Sequence, residues 1–184
     1  MATPVRYAFT VDEWHRMGEA GLFGEDARVE LMDGEVVQMS PIGSRHFDCV
    51  NRLNRLLVLA VGERAVVSVQ NPVRLGNYSE PQPDLALIRP RDYSAEIAQP
   101  EDVLLLIEVA DTTLAWDRDR KGPLYGRSGI PLTWIVDLKG QEVIVLQGSA
   151  PDGYLVQERV RGGGRLVLPG LLDLAVDEVL GRLR

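Results

Sequence analysis

The stretch Leu104-Leu105-Leu106-Ile107-Glu108-Val109-Ala110 decides the fold of this chain. It belongs to a nearly continuous apolar run from Val103 to Ala110. Such a run is typical of a strand that is buried on both faces, or of a piece of buried helix. Its length, its branched side chains and the turn residues at 99–102 favour a central strand of a sheet.

Glu108 is the one charged residue in this run, and it lies near the end of the predicted strand. An ionised carboxylate in apolar surroundings costs several kcal/mol unless it is paired or coordinates a metal. Glu108 is therefore either a residue at a frayed strand end, reaching water or a structural arginine, or part of a functional site.

The composition is that of an ordinary globular protein, with 184 residues, 45% hydrophobic and 26% charged. This length predicts a single domain spanning residues 1–184. The net charge of −7 argues against a nonspecific nucleic-acid coat protein, although a carboxylate site in a nuclease would itself add negative charge. Cys49 is the only cysteine, and residues 1–7 lack the apolar core of a signal peptide, so we expect a cytoplasmic location.

Asp84 follows two prolines in Pro81-Gln82-Pro83-Asp84. Prolines impose an extended entry to a strand and are excluded from the centre of a ladder, which places Asp84 at or beside the start of a strand through Ile88. A carboxylate at a strand start and one near the end of a later strand can converge at one end of a sheet. Two such carboxylates form an oxygen site suited to Mg²⁺ or Mn²⁺, whereas the spacing of His and Cys does not favour zinc.

Lys121 is predicted to lie on a helix that follows the capping residues Asp111-Thr112-Thr113. Asp117 and Lys121 are four residues apart, on the same stripe as Leu114 and Tyr125, so Lys121 should point toward the sheet. The pair Gly122-Pro123 predicts a kink at this point. An ammonium group near the two carboxylates would stabilise negative charge on a phosphoryl oxygen.

Three other residues are candidates for the same site. Glu30 lies in a predicted hairpin with an Asp33-Gly34 turn, either as an exposed strand residue or as a third acidic member of the site. His46 lies in the first turn of a predicted helix, either as a capping or solvated residue or near the site. The predicted apolar stripe of this helix begins at Phe47, and the last predicted helix spans residues 176–183. Gln70 lies at the break between strands predicted at 65–69 and 73–75.

These positions also carry a resemblance that extends through most of the chain. The segments concerned are Glu30-Leu31-Met32-Asp33-Gly34-Glu35, His46, Gln82-Pro83-Asp84, Ile107-Glu108-Val109, the set Asp117, Lys121 and Tyr125, and residues 129–137. They resemble the Uma-type restriction endonuclease family of the PD-(D/E)xK nuclease superfamily.

The resemblance implies an α/β restriction-endonuclease-like fold, with a mixed central β-sheet flanked by helices. It implies Asp84 and Glu108 as metal ligands and Glu30 as a further acidic member. The lysine that the superfamily has two residues after Glu108 is Ala110 here. The Uma-type pattern resembles one in which the ammonium group comes from the following helix, as Lys121.

The sequence therefore predicts a divalent-metal-dependent DNA endonuclease that uses Mg²⁺ or Mn²⁺. The predicted catalytic residues are Asp84, Glu108, Lys121 and Glu30, with Gln70 and His46 as accessory residues. The alternative is a nuclease-like scaffold that binds nucleic acid or a protein partner without cutting, and a purely structural assembly protein would leave Glu108 unexplained. A homodimer sealed by the hairpin around Trp134 and the apolar C-terminal segment is also expected.

Overall fold

A computed structural model describes residues 5–24 and 27–182 of the chain. Its centre is a six-stranded mixed sheet. The strands, in their order across the sheet, are β3 (Val66–Val69), β4 (Leu85–Ile88), β5 (Val103–Ala110), β6 (Leu132–Asp137), β7 (Glu142–Ala150) and β8 (Gly153–Arg161). The predicted α/β fold with a mixed central sheet is confirmed.

Two antiparallel hairpins lie outside this sheet, and helices flank it. The hairpins are β1 (Val29–Met32) with β2 (Glu35–Gln38), and β9 (Arg165–Leu168) with β10 (Leu172–Ala175). The α-helices are α1 (Val11–Glu19), α2 (Ser44–Val61), α3 (Leu114–Trp116), α4 (Gly122–Arg127) and α5 (Val176–Val179), with 3₁₀ turns at Gly62–Arg64 and Pro100–Asp102. A π-helical segment, Asp117–Lys121, joins α3 to α4.

Strand β5 lies inside the sheet, antiparallel to β4 and parallel to β6. Its side chains alternate between two covered faces, as expected for a strand with no solvent-facing side. Leu105, Ile107 and Val109 pack with α2, while Leu106 packs against Tyr125 of α4. Glu108 therefore belongs to the face of the sheet that α4 covers.

Three local predictions were wrong, each for a physical reason. Residues 73–75 form no strand, because their backbone N–H groups donate to carbonyls of separate loop residues instead of one neighbouring strand. Phe47, expected in the apolar stripe of α2, is 63% exposed, because the buried face of this helix begins only at Cys49 and Val50, in its second turn. The last helix, predicted at 176–183, stops at Val179 because Gly181 has a φ of +73°, and Leu183 lies outside the described residues.

In the part of the chain that the structure describes, none of the helices combines the length and apolar character needed to cross a membrane.

Candidate active site

Asp84 and Glu108 meet because β4 and β5 are neighbours in a fixed register. Leu85 pairs with Ile107, and the next step of this antiparallel ladder places Asp84 opposite Glu108 on the same face. The backbone N–H of Val109 donates to Oδ2 of Asp84 at 2.8 Å. Both carboxylates line one cleft of about 170 Å³, so the two acids share a site.

The position of Asp84 is fixed from several sides. It directly precedes β4, where its carbonyl accepts a bond from the N–H of Gln70 at 3.1 Å. The amide of Gln70 lies 3.4 Å from Oδ1 of Asp84, and Gln70 has a φ of +51°, an uncommon conformation for this residue type. His46, in the first turn of α2, brings its Nε2 within 2.9 Å of Oδ2. Both predicted accessory residues therefore contact Asp84.

Lys121 reaches the site from the π-helical segment. Its Nζ lies 3.1 Å from Oε1 of Glu108 and 3.1 Å from Oε1 of Glu30, and the side chain is 1% exposed. The wider π turn gives Gly122 a bond to the carbonyl of Asp117, five residues back, and it accommodates Pro123, which has no N–H and would crowd an ordinary α-turn. The predicted kink is thus a π-helical turn, and Lys121 points toward the sheet.

Glu30 enters the cleft from the separate hairpin β1–β2. Besides Lys121, its Oε1 accepts a bond from the N–H of Gln82 at 3.1 Å. Its Oε2 is buried and makes no hydrogen bond with any described residue. A backbone bridge between Leu31 and Glu80 holds the hairpin beside the loop that leads to Asp84. Of the two readings of Glu30, the structure shows the one in which it is buried in the cleft.

Tyr125 and Asp117 are the residues whose contacts the sequence reasoning did not foresee. The Tyr125 hydroxyl donates to Oε1 of Glu108 at 2.5 Å, and Tyr125 is completely buried. Asp117 is 3% exposed, lines the cleft and accepts a 2.5 Å bond from the hydroxyl of Thr113. The helical spacing of both residues with Lys121 could have indicated that they lie on the same face of the helix, but from it only the direction of the Lys121 side chain was predicted.

Burial dominates the electrostatics of the cleft. It raises the pKa of the Glu108 carboxyl well above its usual range; Lys121 opposes this rise, while Asp117, Asp84 and Glu30 add to it. Burial likewise raises the pKa of Asp117 to about 6. Burial alone would lower the pKa of Lys121, but the carboxylates of Glu108 and Glu30 outweigh it and raise that pKa. The ammonium is therefore charged, and the carboxyl groups of Glu108 and Asp117 favour a proton or a nearby cation.

The residues of the cleft fit a small, hard divalent cation. Glu30, Asp84, Glu108 and Asp117 are buried there, and Lys121 is the only buried base among the described residues. No group of three or more acidic, His or Cys side chains within the described ranges forms a complete metal cage. Mg²⁺ usually keeps several waters and binds through one or two carboxylates, so an edge formed by Asp84 and Glu108 with an excess of negative charge suits it.

Comparisons with known proteins identify similar sequences and folds. A family model, Uma2, described as "Putative restriction endonuclease", matches residues 11–177. A search of curated proteins gave no match. A solved structure described as "a putative nuclease belonging to DUF820" from Anabaena variabilis is similar with a TM-score of 0.72 and 17% sequence identity, over 97% of this chain and 98% of that chain. At this identity the likeness shows a shared fold.

Proposed function

The chain belongs to the Uma2 family, described as "Putative restriction endonuclease", and we propose that it is a divalent-metal-dependent DNA endonuclease that hydrolyses phosphodiester bonds. One observation carries the proposal. Asp84, which directly precedes β4, and Glu108 of β5 share a cleft with a buried ammonium group that is 3.1 Å from Glu108. The resemblance to the nuclease superfamily supports the same roles.

Asp84 and Glu108 are the residues that would hold Mg²⁺ or Mn²⁺. When bound, such an ion polarises a phosphoryl oxygen and activates a water molecule at neutral pH. The two carboxylates would hold such an ion in the cleft near the end of β5. The buried walls of the cleft lower the local dielectric constant, which would strengthen charge interactions with a substrate.

Lys121 supplies the positive charge that this reaction needs beside the metal. Its ammonium would stabilise the negative charge that develops on the phosphoryl oxygens in the transition state. Glu30 contacts the ammonium at 3.1 Å, as Glu108 does, so its part is that of a further acidic member that orients Lys121. Gln70 and His46 are accessory residues through their contacts with Asp84.

The test is cleavage of supercoiled plasmid DNA by purified protein with added Mg²⁺ or Mn²⁺. We expect Asp84→Asn, Glu108→Gln and Lys121→Met each to reduce the cleavage rate by on the order of 10²-fold or more, since each removes a charge placed at the reacting phosphate. The chain has two lysines, and the exposed Lys139 offers a matched control. Lys139→Met should cleave like the parent.

Two results would contradict this proposal. One is parent protein, folded by circular dichroism, that does not nick plasmid with either ion. The other is Asp84→Asn protein that cleaves as fast as the parent, because a contaminating nuclease would then account for the activity.

The second candidate is a nuclease-like scaffold that binds nucleic acid or a protein without cutting it. The ion pairs of Lys121 with Glu30 and Glu108 favour it, because they partly neutralise the cleft without any metal. Calorimetric titration with MnCl₂ separates the two. A nuclease should bind the ion and lose it in Glu108→Gln, whereas a scaffold need not bind it at all.

DNA as partner and a homodimeric assembly stay predictions. Trp134 itself is 1% exposed and packs in the core with α2, so a second subunit would contact other residues of this hairpin. Analytical ultracentrifugation at the concentration used for cleavage measures the oligomeric state; a single species of 20.4 kDa would contradict the dimer.

A further inference from the structure

In both Asp84 and Glu108, the hydrogen bonds from the protein are concentrated on one of the two carboxylate oxygens. Oε1 of Glu108 accepts bonds from the Tyr125 hydroxyl at 2.5 Å and from Lys121 at 3.1 Å. Oδ2 of Asp84 accepts bonds from the N–H of Val109 at 2.8 Å and from His46 at 2.9 Å. In each carboxylate, one oxygen is thus occupied twice by groups of the protein.

The other oxygen of each carboxylate is nearly free of such contacts. Oε2 of Glu108 makes no hydrogen bond within the described ranges, and Oδ1 of Asp84 has only the long 3.4 Å contact with the amide of Gln70. Both residues line the cleft. The protein therefore fixes one oxygen of each acid and leaves the other to a ligand.

We propose that Tyr125 and His46 are positioning residues that hold one oxygen of Glu108 and of Asp84, so that each acid binds a divalent cation through its single remaining oxygen. This inference rests on the proposed function and deepens it. It assigns both residues a part in metal selection, and it assigns Tyr125, which does not line the cleft, no contact with the DNA.

Tyr125 acts from behind the site. It is fully buried, it belongs to α4, and it does not line the cleft. Its hydroxyl therefore reaches Glu108 but not a substrate. Because a rigid aromatic side chain has few rotamers, this contact restricts Glu108 more than a flexible donor such as Lys121 does.

His46 acts on Asp84 in the same way from α2. An ionised carboxylate can only accept hydrogen bonds, so the Nε2 that faces Asp84 carries the proton. The contact occupies the same oxygen as the Val109 N–H and leaves Oδ1 with only its long contact to Gln70. Partners of this kind, which orient metal-ligating groups, typically contribute roughly 10- to 100-fold to metal affinity.

One-oxygen binding by both acids also predicts which ion the site prefers. Mg²⁺ and Mn²⁺ accept an octahedral shell with several waters, whereas Ca²⁺ takes six to eight oxygens and often binds carboxylates through both. The parent should therefore bind Mn²⁺ more tightly than Ca²⁺. Loss of the Tyr125 hydroxyl, which partly frees Oε1, should narrow this difference.

The experiment is calorimetric titration of the full chain with MnCl₂ and, separately, with CaCl₂. The test variants are Tyr125→Phe and His46→Ala, and His46→Gln is the conservative variant, because its amide N–H can replace Nε2. The chain supplies matched controls. Tyr154 is a second tyrosine on this face with a hydrogen bond to Thr133, and His15 is the second histidine, 2.7 Å from the buried Glu80.

We expect one Mn²⁺ site in the parent protein. The Kd for Mn²⁺ should be roughly 10- to 100-fold higher in Tyr125→Phe and His46→Ala and within about threefold of the parental value in His46→Gln. The controls Tyr154→Phe and His15→Ala should bind Mn²⁺ with the parental Kd. The ratio of the Ca²⁺ and Mn²⁺ dissociation constants should fall in Tyr125→Phe. If His46→Ala does not fold, the isosteric Tyr125→Phe alone decides.

Each contrary result has a separate meaning. If the parent binds Mn²⁺ and both test variants bind it equally well, the positioning roles are wrong and the proposed function stands. If Tyr154→Phe and His15→Ala lose as much affinity as the test variants, the effect is general destabilisation and the inference is also wrong. If the parent binds no Mn²⁺, the proposed function fails, and the inference fails with it.

Discussion

Replacing Glu108 with glutamine should stabilise the metal-free protein. In the absence of a cation, the folded state confines Glu108 with Asp84, Glu30 and Asp117, and burial raises its pKa well above the usual range. A raised pKa means that the folded state disfavours the ionised carboxylate relative to the unfolded chain. Glutamine has nearly the same shape but no charge, so this unfavourable contribution disappears.

The expected gain in the free energy of unfolding is modest, although Glu108 carries a full charge when ionised. Replacing a whole buried ion pair by neutral residues of similar volume is neutral or stabilises proteins by about 1–4 kcal/mol, whereas removing one partner is costly when the other charge is left unpaired. Lys121 keeps Glu30 as its partner at 3.1 Å when Glu108 is replaced, so the first case applies. The glutamine oxygen still accepts bonds from Lys121 and Tyr125, but each is weaker than a bond to a carboxylate, by about 1 kcal/mol. Subtracting about 2 kcal/mol for the two weaker bonds from the upper part of that range leaves a net gain of up to about 2 kcal/mol, or at most roughly 4–8 °C in Tm for a chain of this length.

The pH dependence of the stability provides a second test of whether Glu108→Gln stabilises the protein. A carboxyl group whose folded pKa is raised reduces stability only above its unfolded pKa of about 4.3, because below it both states are protonated. Thermal unfolding in EDTA should thus show the advantage of Glu108→Gln at pH 7 and its disappearance below about pH 4.

Glu142 provides the matched control for this experiment. Burial would raise its pKa, but hydrogen bonds from Arg161 and Arg159 outweigh burial and lower it. The favourable contribution of Glu142 is present above the unfolded pKa and is lost as the pH falls through the folded one. Glu142→Gln should therefore destabilise at pH 7. If Glu108→Gln unfolds at a lower temperature than the parent in EDTA at pH 7, the reasoning about the cleft is refuted.

Two further predictions concern packing outside the carboxylates. A Cβ at Gly126 would lie 2.0 Å from the backbone oxygen of Gly153, so Gly126→Ala should lower the free energy of unfolding by about 1–3 kcal/mol. Gly18 lies in open space on α1, so Gly18→Ala should raise that free energy by up to about 1 kcal/mol. Urea unfolding measures both changes, and equal effects would contradict the packing argument. Burial raises the pKa of the Cys49 thiol to about 11. A thiol reagent at pH 8 should therefore label Cys49 in the unfolded chain and leave it unlabelled in the folded protein. Rapid labelling of the folded protein would contradict this burial.

Local sequence patterns were sufficient to predict the meeting of Asp84 and Glu108. A continuous apolar run predicts a strand without reference to the rest of the chain, and two prolines limit where the preceding strand can begin. Only the pairing of the two strands is nonlocal. Once β4 and β5 are antiparallel neighbours, the period of two in side-chain direction places both acids on one face.

The remaining parts of the site depend on contacts that no local pattern contains. The hairpin β1–β2 was predictable from its Asp33-Gly34 turn, but the docking of Glu30 on Lys121 joins residues 91 positions apart. The contact of Tyr125 with Glu108 depends on the π-helical turn, because an extra residue per turn changes which side chains face the sheet. Periodicity of 3.6 residues therefore predicted the direction of Lys121 and missed its partners.

The charge imbalance of the cleft is specific to it and not a general property of this acidic chain. Outside the cleft, every buried acid of the described residues has a partner of its own: Asp102 has Arg91, Glu142 has Arg159 and Arg161, Glu80 has His15, and Asp137 accepts two backbone N–H groups. The chain has 18 arginines available for such pairs. In the cleft, four buried acids share one buried base, Lys121, and the partly buried His46 that contacts Asp84. Because unpaired buried charge destabilises a fold, this excess of acids is the imbalance that the proposed divalent cation would offset.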